Sequence, residues 1–234
     1  MAARLTFHGH SCFAMEADGR RIIIDPFLSG NSKASGSADE IEVDAVLLTH
    51  AHGDHLGDGI EIARRNNALV VAVNELAIHC RREGVQKVLP MNIGGASDLG
   101  FARVKLTVAH HSSAIVSEDG ITMLGTACGF LVTMGGVTLY HTGDTGLTAE
   151  MELVGRYNEV DVATICCGDV FTMGVDDGII AAELIGAKLN IPMHFGTFPA
   201  IETDPQEFVG RLEEKGISAR VMKPGDEIEL SGPR

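Results

Sequence analysis

His50, His52, Asp54 and His55 stand within the six-residue run His50-Ala51-His52-Gly53-Asp54-His55. Three imidazoles and a carboxylate at that density suit the binding of a first-row divalent cation. Imidazole nitrogen favours zinc and its neighbours, and carboxylate oxygen can join it. Gly53 lets the run double back so that several side chains face one point. The bland alternative is a surface loop that merely happens to be rich in histidine. Chance rarely sets such a loop directly behind an apolar strand, and Asp44 to Thr49 reads as one, buried on both faces.

The elements that must position this run are short. Arg4 to His8, Cys12 to Met15 and Arg21 to Asp25 read as strands, with Asp18-Gly19 as a hairpin turn. Ser29 to Asp39 is small and polar, with Ser32, Ser35 and Ser37, and reads as a mobile surface loop; a lid over the site is the sharper alternative. Glu61 to Asn67 is helical, Leu69 to Val73 a strand, and Asn74 is a candidate cap for a helix to Glu83. Further on, Val104 to Ala109 is a strand. Cys128 to Met134 and Val137 to His141 flank the turn Gly135-Gly136. Thr148 can cap a short helix, Val160 to Cys166 is a buried strand, Asp176 to Lys188 a helix and Pro192 to Phe195 a short strand. Asp204 and Pro205 open a helix to Lys215. Arg220 to Met222 and Glu227 to Leu230 close the chain as strands. No Pro- or Ser-rich linker divides the 234 residues, so one domain, 1–234, of two packed sheets with outer helices is expected.

Composition removes several functions. The formal net charge is −14, which repels nucleic-acid backbones and anionic lipid heads, and Trp is absent with only two Tyr to stack on bases. A small-molecule substrate, with no nucleic acid and no membrane as partner, is expected; a homo-oligomer stays open. The five cysteines show no CxxC spacing and read as small buried residues of a reducing compartment. Met1 leads straight into Arg4-Leu5-Thr6-Phe7 without a charged-then-apolar leader, and no apolar stretch nears a membrane span, which points to a soluble, cytoplasmic protein.

The pattern His-x-His-x-Asp-His resembles the metallo-β-lactamase superfamily, and other segments extend the resemblance over nearly the whole chain. Thr49 fits the family's strand ending, and Ile24-Asp25-Pro26 its early strand-end aspartate. Ala109-His110-His111-Ser112-Ser113 looks like its third motif, Thr142-Gly143-Asp144-Thr145 the one whose aspartate bridges two metals, and Pro192-Met193-His194-Phe195 its last histidine motif. Phe7-His8-Gly9-His10-Ser11, together with Phe171-Thr172-Met173-Gly174 leading to Gly196-Thr197-Phe198, is similar to an uncharacterised metal-dependent hydrolase branch. Its relatives include sugar-phosphate lactonases and N-acyl phospholipid phosphodiesterases.

The resemblance implies an α/β (α+β) fold, a four-layer αββα sandwich, and two divalent ions: zinc first, with Mn2+, Fe2+ or Ni2+ as alternatives. It places His50, His52 and a third-motif histidine on one metal, and Asp54, His55 and His194 on the other. Asp144 bridges them with a water-derived hydroxide that would cleave an ester, lactone or phosphodiester, so Asp54 and Asp144 become the catalytic candidates. His110 and His111 compete for the third-motif place, since neighbours on a strand point to opposite faces; the family spacing favours His111. Asp25 is expected to tie the metal loop from behind the ligands. His10 is placed either there or on the substrate, with a plain core histidine as the alternative. Ser112, Thr145 and Thr197 are candidate substrate contacts. His8, His79 and His141 read as structural. Rival readings are a nuclease, which the charge opposes; an iron-dependent thiol or redox enzyme, although diiron reductases of the superfamily typically carry Glu where His52 stands; and a non-catalytic metal-binding protein.

Overall fold

A computed structural model describes residues 2–231; the expected bounds, 1–234, also take in residues 1 and 232–234, which lie outside the described residues. The chain opens as an antiparallel meander of β1 (Ala2–Gly9), β2 (Cys12–Ala17) and β3 (Arg20–Ile24). In β1 every second residue is buried, the period of a strand with one wet face. The turn before β3 is tight because Asp18 and Gly19 both take positive φ, at 51° and 74°. Next come β4 (Ala45–Leu47), a single helical turn α1 (Gly53–Leu56), α2 (Gly59–Asn66), β5 (Leu69–Val73), α3 (Asn74–Arg82) and β6 (Lys87–Met91). Helix α3 begins at Asn74 itself, with Val73 in the capping position, so Asn74 is not the cap that its residue type suggests.

The second half supplies β7 (Ala96–Asp98), β8 (Arg103–Val108), a separate hairpin of β9 (Ala114–Ser117) and β10 (Gly120–Met123), β11 (Cys128–Met134), β12 (Val137–His141), α4 (Glu150–Tyr157), β13 (Val162–Cys166), α5 (Val175–Ile185), β14 (Leu189–Met193), α6 (Pro205–Glu214) and β15 (Glu227–Ser231). The Asp204 carboxylate accepts from the Gln206 N–H at 2.9 Å and caps α6. Residues 220–222 form no strand; the only pairing there is the bridge from Ala219 to Asn190.

Two sheets result, ordered β15-β1-β2-β3-β4-β5-β6 and β14-β13-β12-β11-β8-β7. Helices α2 and α3 cover the first, α5 and α6 the second, and β2 faces β11 across the interior, which makes the four layers. The inner faces are filled by Phe13, Met15, Ile22, Ile24 and Phe130, all buried. The strands β3 to β6 run parallel, as do β12 to β14. Their C-terminal ends meet at one edge of the sandwich.

Candidate metal centre

That edge collects the chemistry. His10 follows β1, Asp25 follows β3, the His50–His55 run follows β4, His111 follows β8, Asp144 follows β12 and His194 follows β14. Strands that share a direction in two facing sheets bring their ends, and whatever follows them, to one place. His50, His52 and His111 form one group of donor atoms; His50 Nε2 lies 3.0 Å and His111 Nε2 3.3 Å from His52 Nδ1. His10, Asp54, His55 and His194 form a second group. One oxygen joins them. Asp144 Oδ2 stands 3.0 Å from His194 Nε2, 3.2 Å from His55 Nε2, 3.8 Å from His111 Nε2 and 4.0 Å from His50 Nε2.

Asp25 holds this arrangement from behind. It is fully buried, and its carboxylate accepts from the Thr49 N–H (2.8 Å), the Thr49 hydroxyl (2.6 Å) and His55 Nδ1 (2.8 Å). Thr49 Oγ1 in turn lies 3.0 Å from His50 Nδ1, so one carboxylate orients two imidazoles. Ser113, also buried, accepts from the Ala51 N–H at 3.2 Å and ties the third motif to the metal loop. Three non-glycine residues here take left-handed backbone: His10 (φ 58°), Asp25 (48°) and His194 (59°). Such conformations persist only where surrounding contacts fix them, and the His194 N–H donates to the His10 carbonyl at 2.9 Å.

The electrostatics follow from burial against mutual charge. Burial pushes the His50, His52 and His111 pKa values below the ordinary imidazole value, and His10 down to about 4. Burial also disfavours a charged His55, but Asp144 and Asp25 outweigh it and raise that pKa well above its usual place. Asp144 is held well below the carboxylate range because His55 and His194 overcome its burial, and Asp54 is likewise lowered by His10 and His55 against its own burial.

The structure brings His111 to the cluster and leaves His110 exposed. Ser112 is exposed at the rim, its Oγ 3.3 Å from His52 Nε2. Thr197 is half-buried, with Oγ1 2.9 Å from His10 Nδ1. Thr145 departs from its expected place among substrate contacts. It is fully buried, and its hydroxyl accepts from the His110 N–H (2.9 Å) and donates to the Gly146 carbonyl (2.7 Å), so it anchors the third motif. His10 is no ordinary core histidine: its Nε2 lies 3.2 Å from Asp54 Oδ2 and its ring centroid 4.2 Å from that of His194. His141 is buried away from the donor groups, donating from Nε2 to the Ser11 carbonyl (2.9 Å) and accepting the Gly143 N–H. The sequence reading missed Ser113, Gly168, which packs on His194, and the pair Phe27 and Phe198, whose rings meet His10 edge-on. Their signal was adjacency to motif residues in the chain.

The residues fit a cation. Asp144 Oδ1 and His55 Nε2 are buried with no hydrogen-bond partner; His55 Nε2 is near Asp144 without being aligned to it. Orphaned buried polar atoms are costly unless something binds them. The spacings of 3.0–4.0 Å around Asp144 Oδ2 match those between donors that share a cation at bond lengths of about 2.0–2.2 Å.

Comparison with known proteins agrees. Residues 4–194 match the family model described as a β-lactamase superfamily domain. A UPF0173 metal-dependent hydrolase of Geobacillus thermodenitrificans is 49% identical over 228 residues, 97% of this chain and 100% of the relative. The chain belongs to this hydrolase family of the metallo-β-lactamase superfamily. Its fold has a close counterpart in Igni18, described as a metallo hydrolase from Ignicoccus hospitalis, with 34% identity, full coverage of both chains and a TM-score of 0.90. The metallo-β-lactamase fold protein YhfI of Bacillus subtilis, 15% identical with a TM-score of 0.71 over 98% of this chain and 100% of its own, shares the fold alone. As a member of the family this protein is a metal-dependent hydrolase whose His and Asp clusters are able to bind metal. Among the described residues no helix is long and apolar enough to cross a membrane.

Proposed function

We propose that the protein is a two-metal hydrolase of small molecules. His50, His52 and His111 would hold one cation and Asp54, His55 and His194 the other, with Asp144 available to both. The observation that supports this reading is the position of Asp144 Oδ2, within 3.0–4.0 Å of imidazoles from both groups. Zinc is the first choice of ion because the donor set is nitrogen-rich. Bound cations of this kind supply acidity that makes hydroxide available from water near neutral pH.

The chain's own residues do the remaining work. Asp25 fixes the tautomers of His50 and His55 by taking up the Nδ1 side of each, directly for His55 and through Thr49 for His50. His10 Nε2 lies 3.2 Å from Asp54 Oδ2, the oxygen that also stands 3.9 Å from His194 Nε2, and so orients that carboxylate toward the site. Ser112 and Thr197 offer hydroxyls at the rim for the substrate. The bond cleaved is an ester, lactone or phosphodiester. A net charge of −14 disfavours nucleic acid as the substrate.

Metal analysis after zinc reconstitution tests the reading. Two zinc ions per chain are expected, together with hydrolysis of an ester, lactone or phosphodiester. Asp144→Ala should hold at most one ion tightly and lose more than about 100-fold in kcat/KM, because it removes the shared ligand. An Asp144→Ala protein that keeps both ions and its rate overturns it.

A further inference from the structure

On one side the site is walled by rings and not by charge. Phe27 lies two residues after Asp25 and Phe198 four after His194. Their rings face each other at a centroid distance of 6.2 Å with 30° between planes. Both meet the His10 ring edge-on, at 5.8 Å for Phe27 and 5.6 Å for Phe198. His10 itself is buried, whereas Phe198 is 36% exposed and Phe27 half-buried. The pair therefore covers His10 and shows its remaining surface to solvent beside Asp54 and His194.

Both supporting loops are fixed. The Phe27 N–H donates to the Asp25 carbonyl at 2.8 Å, and the next two N–H groups, of Leu28 and Ser29, donate to Asp58 Oδ2 at 2.9 and 2.8 Å. The Ile201 N–H donates to the Phe198 carbonyl at 3.0 Å, and the Gly196 N–H to the Ile201 carbonyl at 2.7 Å. A partly exposed aromatic ring held on a rigid loop at the edge of a polar site is a preformed apolar contact.

Charge favours one class of occupant. Among the described residues the carboxylates of Asp25, Asp54 and Asp144 have histidines as their ion-pair partners, and no Lys or Arg pairs with them. Phosphate groups are ordinarily met by Arg or Lys as well as by metal. Here a phosphate's outer oxygens would face rings on one side and an acidic molecule beyond. A neutral carbonyl compound meets no such penalty.

We propose that the substrate is a neutral ester or lactone whose alkyl or aryl part lies on Phe27 and Phe198, with its carbonyl over the donor groups. This rests on the hydrolase reading and narrows it. In the reaction the oxygen of water bonds to the carbonyl carbon and the bond from that carbon to the alkoxy oxygen breaks. The alkoxy oxygen takes one proton of the water, giving an alcohol, and the acid formed loses its other proton to solvent. For a lactone both groups stay in one product.

The experiment uses the zinc-reconstituted full chain. Its substrates are p-nitrophenyl esters with acyl chains of two, four and eight carbons, and bis(p-nitrophenyl) phosphate. We expect kcat/KM to rise with acyl length and the octanoate to exceed the phosphodiester at least about 100-fold. Phe198→Ala should raise KM for the octanoate about tenfold, from lost apolar burial, and so lower the octanoate-to-acetate ratio of kcat/KM. Phe198→Leu should recover most of the loss. Inhibition or equilibrium binding by 2-decanone, a neutral ketone that cannot be hydrolysed, should weaken in parallel. Faster turnover of the phosphodiester, with Phe198→Ala leaving octanoate and ketone unaffected, overturns the proposal while hydrolysis stands. If no substrate is cleaved by protein holding two zinc ions, the reading of an ester or phosphodiester as the bond cleaved fails; ketone binding that Phe198→Ala does not weaken then overturns the aromatic contact as well.

Discussion

At φ 58° the His10 backbone sits where an L-residue with a full side chain pays about 1–2 kcal/mol. What it gains is a ring placed between Thr197 Oγ1 and Asp54 Oδ2 and a carbonyl that takes the His194 N–H. His10→Ala should therefore loosen Asp54 and weaken the second zinc ion about 10–100-fold while the first stays, read by competition with a chromophoric chelator. Two ions bound with unchanged affinity would reduce His10 to packing. Gly168 makes a parallel case: a Cβ there would collide with the His194 carbonyl and lie 2.7 Å from His194 Nδ1. Gly168→Ala is expected to cost about 1–3 kcal/mol in urea unfolding and to displace His194. Residue types revealed the donors but not their supports. The choice between His110 and His111 turns on the buried Thr145 hydroxyl, which takes the His110 N–H and so sets which ring faces inward. No local pattern could show that contact, because it joins residues 35 positions apart.

At the scale of elements, each ligand segment is the stretch after a strand, and that is why so much of the site could be read from the chain. Apolar runs broken by Asp18-Gly19 or Gly135-Gly136 declare themselves, and the polar residues just beyond them are the candidates. Less legible were the edges. β6 contains Pro90 and β14 contains Pro192, and both are terminal strands of their sheets, where a missing N–H is tolerated. Pro90 hid β6, and β14 begins three residues before the segment that Pro192 suggested. The short hairpin β9–β10 and the single turn α1 lack the length to show a period. The Ser29–Asp39 stretch reads by composition as a mobile surface loop, with a lid as the alternative, yet it is pinned: the Ser35 N–H donates to the His8 carbonyl at 3.0 Å and Arg65 donates to the Ala38 and Ile41 carbonyls. The parallel pairing of β3 with β4 brings Asp25 beside Thr49, and this pairing carries a prediction. Asp25→Ala leaves the Thr49 N–H and hydroxyl and the His55 Nδ1 without their acceptor in a buried place. It should lower unfolding free energy by about 2–4 kcal/mol in denaturant titration and weaken both zinc ions. A loss confined to metal affinity, with stability intact, would contradict the bracing role assigned to it.

Taken whole, the molecule places a knot of opposed charges inside an acidic shell, and protons should report when cations enter. Without metal, His55 is held protonated by Asp144 and Asp25 well above the ordinary imidazole pKa, whereas burial keeps His10, His50, His52 and His111 neutral. The signs for stability oppose one another. A raised His55 contributes stability that is full below the unfolded value of about 6.5 and lost as pH climbs through its folded value. Asp144 and Asp54, lowered, contribute above the unfolded value of about 3.9 and lose it as pH falls through their folded values. The four neutral imidazoles disfavour the folded state as pH drops below about 6.5, where only the unfolded chain takes their protons. With His8 and His141 also lowered by burial, the metal-free protein should accordingly lose stability on acidification from pH 7 to pH 5, since six such groups outnumber the one of opposite sign. A cation needs His55 Nε2 free, so loading at pH 7 should expel about one proton per chain and bind more tightly as pH rises. Titration calorimetry in buffers of different ionisation enthalpy measures that proton directly. Its absence, with zinc affinity flat from pH 6 to pH 8, would mean that His55 is already neutral beside two ionised carboxylates, and the charge balance assigned to the centre would be wrong.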